Sequence, residues 1–83
     1  GDGSLNAEKK IIQEQIYSDV RDLVKELPEE QKEVLIMRMY KDMSFKEISE
    51  NTGVSINTAL GRMRYALINM RKLIEKHEII LVN

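Results

Sequence analysis

Apolar residues recur along the chain at helical spacing, in stretches that turn signals separate. In the first stretch they fall four, four, three and four residues apart, at Ile12, Ile16, Val20, Leu23 and Leu27. This spacing places them on one face of a helix. The pattern predicts a flexible lead-in over 1–5 and an amphipathic helix over 6–26.

A second helix begins at Pro28 and runs to about Tyr40. Proline suits the first turn of a helix and disfavours helix at the residue before it. From Val34 to Tyr40 the sequence is apolar nearly all round. Such a helix is either buried centrally or offers a second apolar face to a partner, and methionine-rich surfaces adapt well to partners. Burial in the core is the preferred interpretation.

The stretch from Ser44 to Tyr65 organises the rest of the chain. Ser44 and Glu47 have the spacing of a capping box, which starts a helix. Gly53 suits the left-handed end of that helix, and Ser55 suits the N-cap of the next one. Two helices joined by a sharp turn predict a helix-turn-helix. The alternative is an ordinary helical hairpin of a bundle.

The last helix has the most regular apolar spacing, and it is predicted to end near Lys76. The predicted core face consists of Ile56, Leu60, Met63, Leu67, Met70 and Ile74. Ala59, Ala66 and Leu73 widen this face. The tail, 77–83, contains the apolar run Ile79–Val82, which either folds back on the domain or meets a partner. The prediction is an all-α, four-helix domain with the helix-turn-helix unit in 27–76 and no winged-helix wing.

Composition excludes several classes of function. The 83 residues suit one small domain, with no cysteine and a single histidine. No cluster of residues suggests a catalytic, metal or cofactor site, so we do not expect an enzyme. No apolar run is long enough for a bilayer and no signal peptide is visible, so a cytoplasmic location is expected.

Charge is distributed unevenly along the chain. The net charge is −1, yet residues 1–52 carry eight Lys/Arg and twelve Asp/Glu, whereas 53–83 carry five and two. The positive part coincides with the second helix of the helix-turn-helix. This polarity would orient the domain on a phosphate backbone. Alternatively, the last three cations, Arg71, Lys72 and Lys76, only complement the helix dipole.

Four segments, at 27–35, 43–48, 53–59 and 62–67, resemble region four of a bacterial RNA polymerase sigma factor of the extracytoplasmic-function group. Their sequences are LPEEQKEVL, MSFKEI, GVSINTA and RMRYAL. Residues 6–26 are similar to the helix that leads into region four. The resemblance implies binding to double-stranded promoter DNA at the upstream (minus thirty-five) element and docking on the flap of the polymerase β subunit. It also makes an anti-sigma factor a plausible partner.

Seven residues are predicted to contact DNA. Base edges would be contacted by Asn57, Thr58 and Arg62, and phosphates by Ser44, Lys46, Ser55 and Arg64. The chain departs from the family at Leu60 and Gly61, where a basic residue and a serine are usual, and at Tyr65, where a basic residue is common. Sequence specificity is therefore expected to be weak or partly shape-based. Gly61 would either let the backbone approach DNA or relieve crowding.

Two other classes of function stay open. One is the DNA-binding domain of a response regulator, although the histidine that is typical of its recognition helix is missing. The other is a protein-interaction module that has lost DNA binding, as the acidic first half and the apolar tail suggest. The chain lacks the region that melts promoters in the sigma family. We expect a domain of a longer protein, which the abrupt Gly-Asp-Gly-Ser start favours, rather than a stand-alone regulator.

Overall fold

A computed structural model describes residues 2–77, with side chains from residue 7 onward. Four α-helices follow one another: α1 (Asp2–Val24), α2 (Glu29–Met39), α3 (Phe45–Thr52) and α4 (Ile56–Lys76). The prediction of an all-α, four-helix domain is confirmed. The tail run Ile79–Val82 and the first residue of the predicted lead-in lie outside the described residues.

Helix α1 begins four residues earlier and ends two residues earlier than the apolar spacing predicted. No proline interrupts the segment before residue 6, so the helical backbone extends to Asp2. At the other end the chain leaves the helix in a turn, where the amide of Glu26 donates to the carbonyl of Leu23 at 2.9 Å. The turn precedes Pro28, as expected for a residue that disfavours helix before it.

The core is built from the last turns of α1, the middle of α2, one residue of α3 and one face of α4. Its buried side chains are Leu23, Val24, Leu27, Val34, Leu35, Ile48, Ala59, Met63, Ala66 and Met70. Ile48 and Val34 are the largest of the fully buried ones. Ile48 therefore fixes α3 against α2 and α4.

The first half of the predicted apolar face of α1 does not enter the core. Ile12 is exposed, as are its neighbours Ile11 and Tyr17, whereas Leu23 and Leu27 are buried. Among the described residues α1 contributes to the core only through its last turns and the segment that follows it. The regular apolar spacing correctly predicted a helix, but the prediction that this face is buried along its whole length is wrong.

The core face of α4 is rotated relative to the prediction. Ala59 and Ala66, predicted to lie at the margin, are fully buried, while Ile56, Leu60 and Leu67 are about half exposed. The small alanines let α4 approach the other helices closely, and the larger leucines are displaced to the outside. The prediction that Ile56, Leu60 and Leu67 belong to the core is therefore wrong.

Helix α2 is also only partly buried. Val34 and Leu35 are buried, Ile36 and Met37 are half-buried, and Met39 is exposed. The preferred interpretation of a core helix holds for the middle of α2. Its outer half-buried side chains border a groove that is described below.

Polar contacts between residues distant in the sequence fix α4 against its neighbours. The side-chain amide of Asn69 donates a hydrogen bond to the side-chain oxygen of Gln31 in α2 at 2.7 Å. At the end of α4, Nε2 of His77 lies 3.2 Å from a carboxylate oxygen of Glu26. These contacts hold α4 at both its middle and its C-terminal end.

Alanine substitutions at two glycines are expected to have opposite effects on stability. Gly61 lies within α4, and a Cβ there would meet no atom within 4 Å. Gly61→Ala should therefore raise the free energy of unfolding by about 0.5–1 kcal/mol, because glycine is a poor helix former. Gly53 has a φ of +74°. Gly53→Ala should lower the free energy of unfolding by about 1–2 kcal/mol, because L side chains are strained there.

Urea unfolding followed by circular dichroism measures both glycine variants. A shift in the same direction for both would contradict this assignment of the two glycines. A Cβ at position 61 would meet no neighbouring atom. Glycine at this position is therefore not needed to avoid crowding within the domain.

Candidate nucleic-acid interface

The first helix of the helix-turn-helix starts with the predicted capping box. The Ser44 hydroxyl accepts a hydrogen bond from the amide of Glu47 at 3.1 Å, and the Glu47 carboxylate accepts one from the amide of Ser44 at 3.1 Å. Ser44 is exposed at the start of this helix. Lys46 is exposed two residues further on. The start of α3 thus presents a hydroxyl and an ammonium group to the solvent.

The capping box makes the stability of the domain depend on pH. Hydrogen bonds from the backbone amide and then the side chain of Ser44 lower the pKa of Glu47 below its ordinary value of 4.5. A lowered pKa means that the ionised carboxylate stabilises the folded state above the unfolded pKa. This contribution is lost as the pH falls through the folded pKa.

Ser44→Ala is therefore expected to cost about 1 kcal/mol of stability at neutral pH, as helix N-caps generally do. The cost should shrink as the pH falls through the lowered pKa of Glu47 in the folded protein, because the carboxylate then loses its charge. NMR titration of the Glu47 carboxyl carbon checks the cause directly. The variant keeps the backbone amide of residue 44, so the Glu47 pKa should rise only in part, and an unchanged pKa would show that the Ser44 hydroxyl does not lower it.

The turn between the two helices is fixed by its own side chains. Gly53 takes the left-handed conformation, and its amide donates to the carbonyl of Ser49 at 2.9 Å. The hydroxyl of Ser49 donates to the carbonyl of Val54, and the hydroxyl of Thr52 donates to the carbonyl of Ile48 at 2.7 Å. The turn therefore holds α4 in one direction relative to α3, as predicted for the helix-turn-helix.

The N-terminus of α4 presents a cluster of exposed polar groups. The Ser55 hydroxyl accepts from the amide of Thr58 at 3.1 Å and donates to the Thr58 hydroxyl at 3.0 Å. Ser55 is thus the predicted N-cap. Asn57 is exposed beside this pair. Helix N-termini carry partial positive charge, and this one has no acidic residue in its first turn.

Arg62 and Arg64, the two arginines in the N-terminal half of α4, point to different sides. Arg62 is only 24% exposed, and its Nη2 lies 3.7 Å from a carboxylate oxygen of Glu30 in α2. Arg64 is exposed. Because Arg64 follows Asn57 by seven residues, the two share one face of α4. The structure thus brings Asn57 and Arg64 together on the outer face and directs Arg62 toward α2.

An open groove of about 670 Å³ lies between α2 and the turn of the helix-turn-helix. The residues that line it are Glu30, Glu33, Ile36, Met37, Lys41, Asn51, Thr52, Val54 and Arg62. Half-buried apolar side chains form part of its wall, and charged groups surround them. In the sequence, only the apolar residues on nearly all sides of α2 indicated that this helix has a second apolar surface.

Two further classes of site are not found in the described part of the chain. Among the side chains described, those of residues 7–77, there is no group of three or more acidic or histidine side chains placed to hold a metal ion. In the same range no helix has the length and apolar character to cross a membrane.

Comparison with known proteins decides the family. The model of the family described as sigma-70, region 4 matches residues 17–67. The chain belongs to the sigma-70 region 4 family. The match runs from the middle of α1 into α4 and includes all seven residues predicted to contact DNA. Sigma region 4 is a DNA-binding, transcription-regulating family and not a family of enzymes.

A curated relative agrees with this family. The chain is 34% identical over 62 residues to the RNA polymerase sigma factor SigV of Bacillus subtilis (strain 168). The matched part is 75% of this chain and 37% of SigV, so the chain spans well under half the length of that relative. No solved structure matches the chain. The predicted resemblance to region four of an extracytoplasmic-function sigma factor is confirmed.

Proposed function

We propose that this sigma region 4 domain binds the upstream (minus thirty-five) promoter element and docks on the flap of the RNA polymerase β subunit, directing transcription initiation in the cytoplasm. The observation that carries the proposal is the exposed N-terminal half of α4. The turn fixes its direction relative to α3, and no acidic residue occurs in the helix before Glu75. A helix of this kind suits the major groove in width and charge.

In the proposed complex, the N-terminal half of α4 lies in the major groove. Asn57 and Thr58 contact base edges, since amide and hydroxyl groups hydrogen-bond there. Arg62 also contacts a base edge once its guanidinium has separated from the Glu30 carboxylate. The ion pair between Arg62 and Glu30 is weak, because the Glu30 side chain is exposed to solvent.

Contacts to phosphate come from both helices of the helix-turn-helix. Ser44 and Lys46 lie at the start of α3, and Ser55 and Arg64 belong to α4. Hydroxyls at helix N-termini and exposed cations are the groups that commonly hold phosphate. Contacts from two helices to the backbone would fix the register of α4 in the groove.

The groove between α2 and the turn is the proposed docking surface for the polymerase flap. Ile36 and Met37 offer half-buried apolar area, and Met37 can adapt its shape to a partner. Charged side chains at the rim, such as Glu33 and Lys41, suit the polar edge of a protein interface. An anti-sigma factor that covered this groove or α4 would block transcription.

A second candidate function is a protein-interaction module with weak or lost DNA binding. The exposed apolar side chains of α4, among them Leu60 and Leu67, favour it. It predicts a protein complex and no salt-dependent binding to DNA.

Fluorescence anisotropy of the 83-residue chain with duplex DNA of mixed sequence, over a range of salt concentrations, separates the two functions. If α3 and α4 neutralise roughly two to four phosphates, the logarithm of the association constant should fall with the logarithm of salt concentration with a slope of about −2 to −4. Absence of binding even at low salt would contradict direct DNA binding and favour the interaction module.

A further inference from the structure

The outer face of α4 has an exposed apolar side chain at its margin. Asn57, Leu60 and Arg64 follow one another at helical spacing, three and four residues apart, and therefore share one face. All three are exposed, Leu60 by 43%. Ala59 and Met63 of the same helix are buried, so Leu60 lies at the border between the core face and the outer face. Along the helix axis it lies between Asn57 and Arg64.

Leu60 still exposes 43% of its surface in the free domain, so it has apolar area left to bury against a ligand. Asn57 on one side offers the donor and acceptor pair that suits adenine, and Arg64 on the other offers a cation for phosphate. An apolar group between them would meet the floor of the major groove. The apolar feature in that groove is the C5-methyl group of thymine.

We propose that Leu60 is a specificity-determining residue that contacts a thymine methyl group in the major groove. The inference rests on the proposed function and makes it more specific. The domain would select a thymine at the base step that faces Leu60. A cytosine or a purine at that place would leave Leu60 without its apolar partner.

Charge favours DNA over a protein as the occupant of this face. From Ile56 to Ile74 the helix has no acidic residue and four basic residues, which are Arg62, Arg64, Arg71 and Lys72. Leu60 lies in the N-terminal half of the helix, near the exposed cluster of Ser55, Asn57 and Thr58. Leu67 lies two turns further along, about 10 Å away along the axis at 1.5 Å per residue. Of the two leucines, we therefore expect only Leu60 to reach the bases.

Uracil substitution tests the inference at the level of one methyl group, because deoxyuridine lacks the C5-methyl group and pairs as thymidine does. Duplexes preferred by the 83-residue chain are first selected from a random-sequence pool. Each thymine of the selected site is then replaced by uracil in turn. Dissociation constants are measured at fixed salt for the wild type, Leu60→Ala and Leu67→Ala. Leu67→Ala is the matched control, because Leu67 is a similarly exposed leucine of the same helix (52%).

We expect one thymine, or two adjacent ones, at which removal of the methyl group weakens wild-type binding by about threefold to fivefold. Leu60→Ala should weaken binding to the thymine duplex by a similar factor and lose the response to uracil. Leu67→Ala should respond as the wild type does. Both substitutions are at exposed positions, and circular dichroism verifies that the variants remain folded.

Three results would overturn the inference. Wild-type affinity that is insensitive to uracil at every thymine would leave duplex binding intact and show that Leu60 contacts no thymine methyl group. A uracil effect that persists in Leu60→Ala would assign the methyl contact to another residue. Failure of the chain to bind any duplex at low salt would overturn the proposed function itself, and the inference with it.

Discussion

Ile48→Ala is expected to destabilise the domain by about 2–5 kcal/mol, the range for removing a buried isoleucine. Ile48 is fully buried and is the only buried residue of α3. Small domains have total stabilities of about 5–15 kcal/mol, so this loss is a large share. In a domain of this size the melting temperature should fall by roughly 10–30 °C.

Ile68→Ala is the matched control, because Ile68 is 40% exposed on α4. It should cost less than about 1 kcal/mol, as surface substitutions usually do. Thermal unfolding followed by circular dichroism compares the two variants. Equal losses would mean that α3 is not fixed through Ile48. Ile48→Ala should also weaken DNA binding, because α3 sets the direction of α4.

Arg62→Ala is expected to weaken binding to the preferred promoter duplex by about 1–3 kcal/mol, or roughly 5-fold to 150-fold. The reason is the proposed contact between the Arg62 guanidinium and a base edge. Arg64→Ala should weaken binding to all sequences about equally and reduce the salt slope by about 1, because Arg64 is proposed to hold phosphate. Anisotropy titrations with the preferred and a scrambled duplex separate these two patterns.

The ion pair with Glu30 requires its own control, because Arg62→Ala removes both the ion pair and any DNA contact. Glu30→Gln breaks the pair and keeps the arginine. If Arg62 contacts DNA, Glu30→Gln should retain or raise the affinity, since the competing carboxylate charge is gone. If Arg62 serves only to join α4 to α2, the two variants should lose stability alike, and neither should lose sequence preference.

Local chemistry explains which parts of the fold were predictable. Ser44, Gly53 and Ser55 act through hydrogen bonds and backbone conformations within four residues, so their cap roles could be recognised in the sequence. The C-terminal end of α4 at Lys76 was also predicted, because the helical spacing continues to that point. These features depend on neighbours in the chain and not on the way in which the helices pack.

The orientation of α4 could not be predicted in the same way. Its sequence has apolar residues on several faces, and the face that is buried depends on which helices pack against it. Burial of Ala59 and Ala66 requires a close approach of other helices, which spacing alone does not indicate. As a consequence, Leu60 was assigned to the core when it lies on the outer face.

Contacts between residues distant in the sequence were equally hidden. Arg62 and Glu30 are separated by 32 positions, and their ion pair arises only because α2 packs beside α4. The sequence supported Arg62 as a candidate for base contact without revealing that its guanidinium is directed toward a carboxylate. The exposure of Ile12 has a similar origin, because no other described element packs against the first half of α1.

The central claim is that the start of α3 and the N-terminal half of α4 form the DNA-binding surface. Amide chemical-shift mapping of the 83-residue chain, titrated at low salt with a short promoter-like duplex, tests this claim most directly. The largest changes are expected at residues 44–47 and 55–64, while α1 should change little. Largest changes in α1, or no changes at all at low salt, would contradict it.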